Sequence, residues 1–176
     1  SSGDINASDS APRLQPLADG TAWRTIRRGI TLFDSSPITD GDTINTATVS
    51  LVASAKTDNY SQSITIVVTA PASNTVIASS DYNIASWTMT QQNTTDITIT
   101  SYTADSTTYN DFALNATGKG NVSLTGITKF GFVLSGDRTN TEPAISTVIA
   151  DLTTLFAETA GTSTDPKLSG TSTGAA

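Results

Sequence analysis

Apolar and polar residues alternate along this chain in short runs that recur at close spacing. Ile26, Ile30 and Leu32 alternate with polar positions ahead of Phe33 and Asp34. Val49, Leu51 and Ala53 alternate with Thr48, Ser50 and Val52. Ile64, Ile66 and Val68 keep the same period, as do Ile97 with Ile99 and Phe130 with Phe132 and Leu134. A period of two sends successive side chains to opposite sides of a pleated strand, so each run predicts a strand with one buried face. Turn formers separate the runs: Asp40-Gly41-Asp42, Ala70-Pro71-Ala72, residues 117–120 and Ser135-Gly136-Asp137. Many short strands at such spacing predict an all-β fold, an antiparallel jelly-roll-like two-sheet sandwich, rather than βαβ units. One stretch, 149–156, brings Ile149, Leu152 and Phe156 near one helical face, so the pattern allows a short helical turn there and at most that.

Composition agrees with strands. The 176 residues include 33 Thr and 22 Ser, while charged residues make up only 14%. Polarity therefore comes from hydroxyls, and β-branched Thr suits a half-wet pleated face. The length fits one sandwich domain over 1–176, with about 1–12 and 169–176, small and polar, expected as flexible ends or linkers. Without an initiator Met or a signal-peptide pattern at its start, the chain is expected to be a processed product or a piece of something longer.

Net charge is -7. Such a surface repels phosphate backbones and anionic lipid, so neither nucleic acid nor membrane insertion is expected. No apolar run approaches the roughly 20 residues of a membrane span.

Candidate chemistry is sparse. Histidine and cysteine are both absent, which rules out Ser-His-Asp and Cys-His devices and removes the usual zinc ligands. Gly118-Lys119-Gly120 lacks the spacing of a phosphate loop. Sixteen acids would form close pairs on any β scaffold without function, and the chain is not expected to be an enzyme.

Asp40 and Asp42 set hard oxygens on a tight turn and are the candidate ligands for a structural calcium, with Asp4, Asp9, Asp34 and Asp165 as partners to be gathered by folding. The competing explanation is an ordinary turn in which Asp bonds to nearby backbone.

Aromatic rings are the usual platforms for sugars. Trp87, Tyr60 and Tyr82 are the candidate ligand-binding residues. Trp23 is expected in the core, Trp87 either between sheets or exposed, and Tyr60 exposed in a loop. Arg27 and Arg28 fall on opposite faces of a strand, so one must turn inward, where Asp34 or Asp111 is the expected counter-ion. Glycosylation sequons stand at Asn6, Asn59, Asn93, Asn115 and Asn121.

Three segments carry a family resemblance. WRTIRRGITLFDSSPITDGDTINTATVSLV resembles a pattern in which an Arg and alternating apolar residues lead into Phe-Asp-Ser/Thr-Ser. YNDFALNATGKGNVSLTGITKFGFVLS is similar to a later strand-loop-strand segment of the same modules, and GTSTDPKLS to their closing Asp-Pro-x-Leu strand. The family is the jelly-roll module of the DNRLRE or disaggregatase-related type, found in secreted prokaryotic proteins and phage structural proteins. The resemblance implies a non-catalytic structural or adhesive role on a virion or extracellular surface, with other protein subunits and glycans as partners. Two departures stand out: the proline comes early, at Pro37, and Leu168 runs into Ser-Gly-Thr, which predicts a short final strand. The shortened strand and a strand-capable N-terminus also suggest a filament subunit built by strand donation. A carbohydrate-binding appendage of a secreted hydrolase is the third reading.

Overall fold

The computed structural model describes residues 12–16, 23–59, 61–141, 149–156 and 163–174. The fold is an all-β antiparallel sandwich. Its strands are β1 (Arg13–Pro16), β2 (Trp23–Arg27), β3 (Gly29–Asp34), β4 (Thr43–Leu51), β5 (Ala53–Asp58), β6 (Ser63–Thr69), β7 (Trp87–Thr88), β8 (Ile97–Thr98), β9 (Asn110–Ala113), β10 (Ile127–Leu134), β11 (Ala150–Thr154) and β12 (Lys167–Thr173). Two single helical turns, α1 (Ala116–Gly120) and α2 (Ser135–Arg138), stand where turns were predicted. No helix among the described residues is long and apolar enough to cross a membrane.

Hydrogen bonding divides the strands into three sheets, ordered β2-β1-β11-β5, β3-β10-β6-β7 with β8 also on β6, and β12-β4-β9. Between them lies one main core. Ile64, Ile66, Phe130, Phe132 and Leu134 enter it from the second sheet; Val49, Leu51 and Phe112 enter from the third; Ala53, Ala150 and Leu152 enter from the first. The chain runs directly from the third sheet to the first through Val52, which joins β4 to β5. The alternating positions of β4, β6 and β10 bury as their period predicts.

One open alternative is decided and one prediction fails. The stretch 149–156 contains strand β11, because Ala150, Leu152 and Thr154 bury at a period of two and β5 and β1 pair on either side. The closing segment is not a loose end: Lys167–Thr173 pairs with β4 over its whole length, from Lys167 opposite Ser50 to Thr173 opposite Thr43. Its Ser, Thr and Gly side chains carry no burial signal, so the strand is held by its backbone ladder and by Leu168 on the core. The N-terminal residues 1–11 lie outside the described residues.

At two corners a single residue carries the chain from one sheet to another, Arg28 between β2 and β3 and Val52 between β4 and β5. A corner leaves carbonyls without strand partners, and each needs a donor. At the second corner Tyr102 Oη donates to Leu51 O (3.0 Å), Leu155 N to Val52 O (2.9 Å) and Ser106 N to Ala53 O (2.9 Å). At the first, Tyr82 Oη donates to Ile26 O (2.8 Å). The Arg28 corner also shifts the alternation by one. Ile26 packs on the main core, but Ile30 faces out from the second sheet, and Gly29 faces in where Phe132 fills its space.

Candidate functional site

Five polar and aromatic side chains, Arg28, Asp81, Tyr82, Trp87 and Asp137, gather on the outer face of the second sheet. There Val67 of β6 and Val133 of β10 form a small second core with Trp87, flanked by Ile30 and Met89. Gly131 makes the seat. A Cβ at this position would overlap the Trp87 ring, so only a glycine lets the indole lie flat on the sheet. The indole Nε1 donates to Asp81 O (2.9 Å). Asp81 is buried in turn, and its carboxylate accepts from the amides of Ala72 (3.1 Å) and Ala78 (2.8 Å). The segment 70–86, which includes 3-10 turns at Ser79–Tyr82 and Ile84–Ser86, is therefore strapped across the sheet.

Arg28 completes the strap. Its Nε and Nη2 reach the two oxygens of Asp137 at 2.7 and 2.8 Å, a two-pronged pair whose side chains are 7% and 5% exposed. Nη1 donates to Tyr82 O (3.3 Å), and the guanidinium lies 4.9 Å from the Tyr82 ring centre and 5.5 Å from that of Trp87. Burial alone would lower the Arg28 pKa, but the hydrogen bonds and charge of Asp137 outweigh it and hold it above its ordinary value. Burial likewise raises the Tyr82 hydroxyl, against the opposing pull of Arg28.

The buried arginine is Arg28, covered on the outer face of the second sheet rather than turned into the main core, and its counter-ion is Asp137 rather than Asp34 or Asp111. Asp34 is exposed and accepts from the Ser36 hydroxyl (2.6 Å) and amide; Asp111 accepts from Ser50 Oγ (2.6 Å). No spacing in the sequence joins residues 28 and 137. Only the docking of α2 beside the corner brings them together.

Of the candidate ligand-binding residues, Trp87 is 7% exposed and Tyr82 half-buried, both spent on the strap, and Tyr60 lies outside the described residues. The sequence left Trp87 between two placements, and Gly131 decides for burial. Trp23 is partly buried on the main core, as expected. Tyr109 donates to the carbonyls of Ser163 (3.0 Å) and Asp165 (2.8 Å) and carries Lys167 Nζ 3.9 Å above its ring.

Asp40 and Asp42 do stand on a tight turn, with Gly41 at φ 89°, and Asp42 accepts from Ser172 Oγ (2.7 Å). They do not gather the other acids. Asp34 keeps to its own turn, and Asp165 lies at the opposite end of the seven-residue β12, about 20 Å away at roughly 3.3 Å per residue. Asp4 and Asp9 lie outside the described residues. Among the described residues no three acids cluster as metal ligands would. Asp105 is likewise a turn former: hydrogen bonds from Thr108 and then Thr107 hold its carboxyl below the usual carboxylate range.

Of the sequons, Asn93 is buried and donates to Asp96, while the Asn115 side chain caps α1. Asn59 and Asn121 are exposed, and Asn6 lies outside the described residues.

Two surface features remain. Val76 and Ile84, 64% and 54% exposed, are the large apolar side chains left in solvent among the described residues, and both sit on the strapped segment. A groove of about 380 Å³ opens along one flank between β3 and β12, with Phe33, Ile38, Ile44 and Leu168 in its lining. No protein-family model, curated protein or solved structure matches this chain.

Proposed function

We propose that this chain is a non-enzymatic structural or adhesive module of a virion or extracellular surface, and that it makes contact through the segment 70–86. The observation that carries this reading is the pairing of rigidity with exposure. Trp87, Asp81 and the Arg28–Asp137 pair fix the segment to the sheet, and the same segment holds Val76 and Ile84 in water. A fixed loop gives up little conformational entropy when it meets a partner, and apolar side chains presented on it gain from burial. The ionisable groups support the same reading, since Arg28, Asp137, Asp81, Asp105 and Asp34 are all committed to holding the frame or its turns.

Binding of the labelled chain to a glycan array and to intact bacterial cells tests the proposal. Retention on one of these surfaces is expected, reduced at least about tenfold in Val76→Ser/Ile84→Ser with an unchanged melting temperature. Hydrolysis of an arrayed glycan, or retention that the double variant leaves intact, would overturn it. A glycan signal abolished by Tyr60→Ala and not by the double variant would move the contact to Tyr60.

A further inference from the structure

We infer that the flank formed by β12 and the groove beside it pairs with a second copy of this chain across a two-fold axis. This adds a partner and a surface to the structural role proposed above. A free sheet edge offers unpaired amides and carbonyls, and proteins that stay monomeric guard such edges with charges, prolines, bulges or short strands. Among the described residues most edges are guarded: β2 carries Arg24 and Arg27, β5 carries Lys56 and Asp58, β9 is four residues long with Asp111, β7 and β8 have two residues each, and β3, six residues long and ending on Asp34, has mostly covered side chains.

β12 differs. It runs for seven residues as KLSGTST, with one charge, and six of the seven are exposed. That charge does not guard the edge, because Lys167 Nζ is drawn back across the sheet onto the Tyr109 ring. In the groove lining the sole charged residue is Asp34, which its own turn holds. On a chain of net charge -7, this is a flank where two copies meet least repulsion.

Backbone parity shows what β12 can pair with. Leu114 N donates to Ala47 O (2.8 Å), so Ala47 faces β9 and its neighbours Thr46 and Thr48 face β12. Their register partners Thr171 and Ser169 face back toward β4, which turns the backbone groups of Leu168 and Gly170 outward. An antiparallel copy centred on Gly170 sets Gly170 opposite Gly170 and Leu168 opposite Ser172, and Ser169 meets Thr171. Hydroxyl pairs of that kind already form inside the sheet, where Thr46 Oγ1 and Thr171 Oγ1 lie 2.8 Å apart. The glycine on the axis leaves the centre free of side chains. Pairing would extend β9-β4-β12 into a six-stranded sheet and close each groove, with Phe33, Ile38 and Leu168, against its twin.

Sedimentation velocity over roughly a hundredfold range of protein concentration tests this. A monomer-dimer equilibrium is expected, strengthened by salt as the like charges are screened. Ser169→Lys/Thr171→Lys, which sets lysines opposite one another, should weaken it at least about tenfold. Thr57→Lys on the β5 edge should leave it unchanged. Circular dichroism confirms that each variant folds, and Ser169→Lys alone serves if the pair does not. A wild type that stays monomeric to about 1 mM, a dimer indifferent to the lysines, or an open-ended assembly in place of a dimer would overturn the two-fold register. Such a monomer would leave the contact through Val76 and Ile84 untouched, since that is read on the array.

Discussion

Arg28 and Asp137 are taken out of water at a cost of several kcal/mol per ion, and the fold supplies what offsets it. The carboxylate takes two donors from the guanidinium, whose remaining nitrogen reaches Tyr82 O, and two rings cover the pair. Removing one partner is worse than removing both, because a lone buried charge keeps its desolvation penalty. Arg28→Met is therefore expected to destabilise the fold by about 3–5 kcal/mol, and Arg28→Met/Asp137→Leu to recover most of that, as measured by urea unfolding. Equal losses in the two variants would show that the pair carries no coupling. Trp87 belongs to the same unit, and an alanine there acts first on stability, so it is a poor probe of ligand binding.

At the scale of elements, both corners follow one device. A strand leaves its sheet, and a tyrosine hydroxyl takes the carbonyl left behind: Tyr82 for Ile26, Tyr102 for Leu51. Tyr102 is fully buried, and burial raises its hydroxyl pKa well above the usual value. Because the folded value is the higher one, the stability this tyrosine contributes is complete below about pH 10, the unfolded value, and is lost as pH rises above it. Tyr102→Phe should cost about 1 kcal/mol at neutral pH for the lost hydrogen bond, and should make the alkaline fall in melting temperature shallower. An unchanged alkaline limb would assign that fall to other groups, Tyr82 first among them. The β12 strand shows the other side of element-scale reasoning: backbone pairing with β4 orders a segment whose side chains do not announce a strand.

Across the whole molecule, partners come from far apart in the chain: Arg13 with Asp151, Thr31 with Phe130, Thr43 with Thr173. Closing such long loops precedes the contacts that reward them, which slows folding. Stopped-flow refolding is expected on the scale of milliseconds to seconds; refolding within microseconds would mean that local contacts dominate.

The sequence by itself determined the fold class and most of the main core, because alternation is local: Val49, Leu51, Ile64, Ile66, Phe130 and Phe132 bury at the period their neighbours display. It also located the turns, since Asp, Gly and Pro act within a few residues. What only the tertiary structure decided is where an alternation slips, which edge a hydroxyl-rich tail joins, and which charge finds which. Arg28 shifts the parity of its strand, Gly131 admits Trp87, and Asp137 arrives from 109 residues away. Each of these depends on a neighbour brought in by folding, and no period along the chain encodes a neighbour's identity.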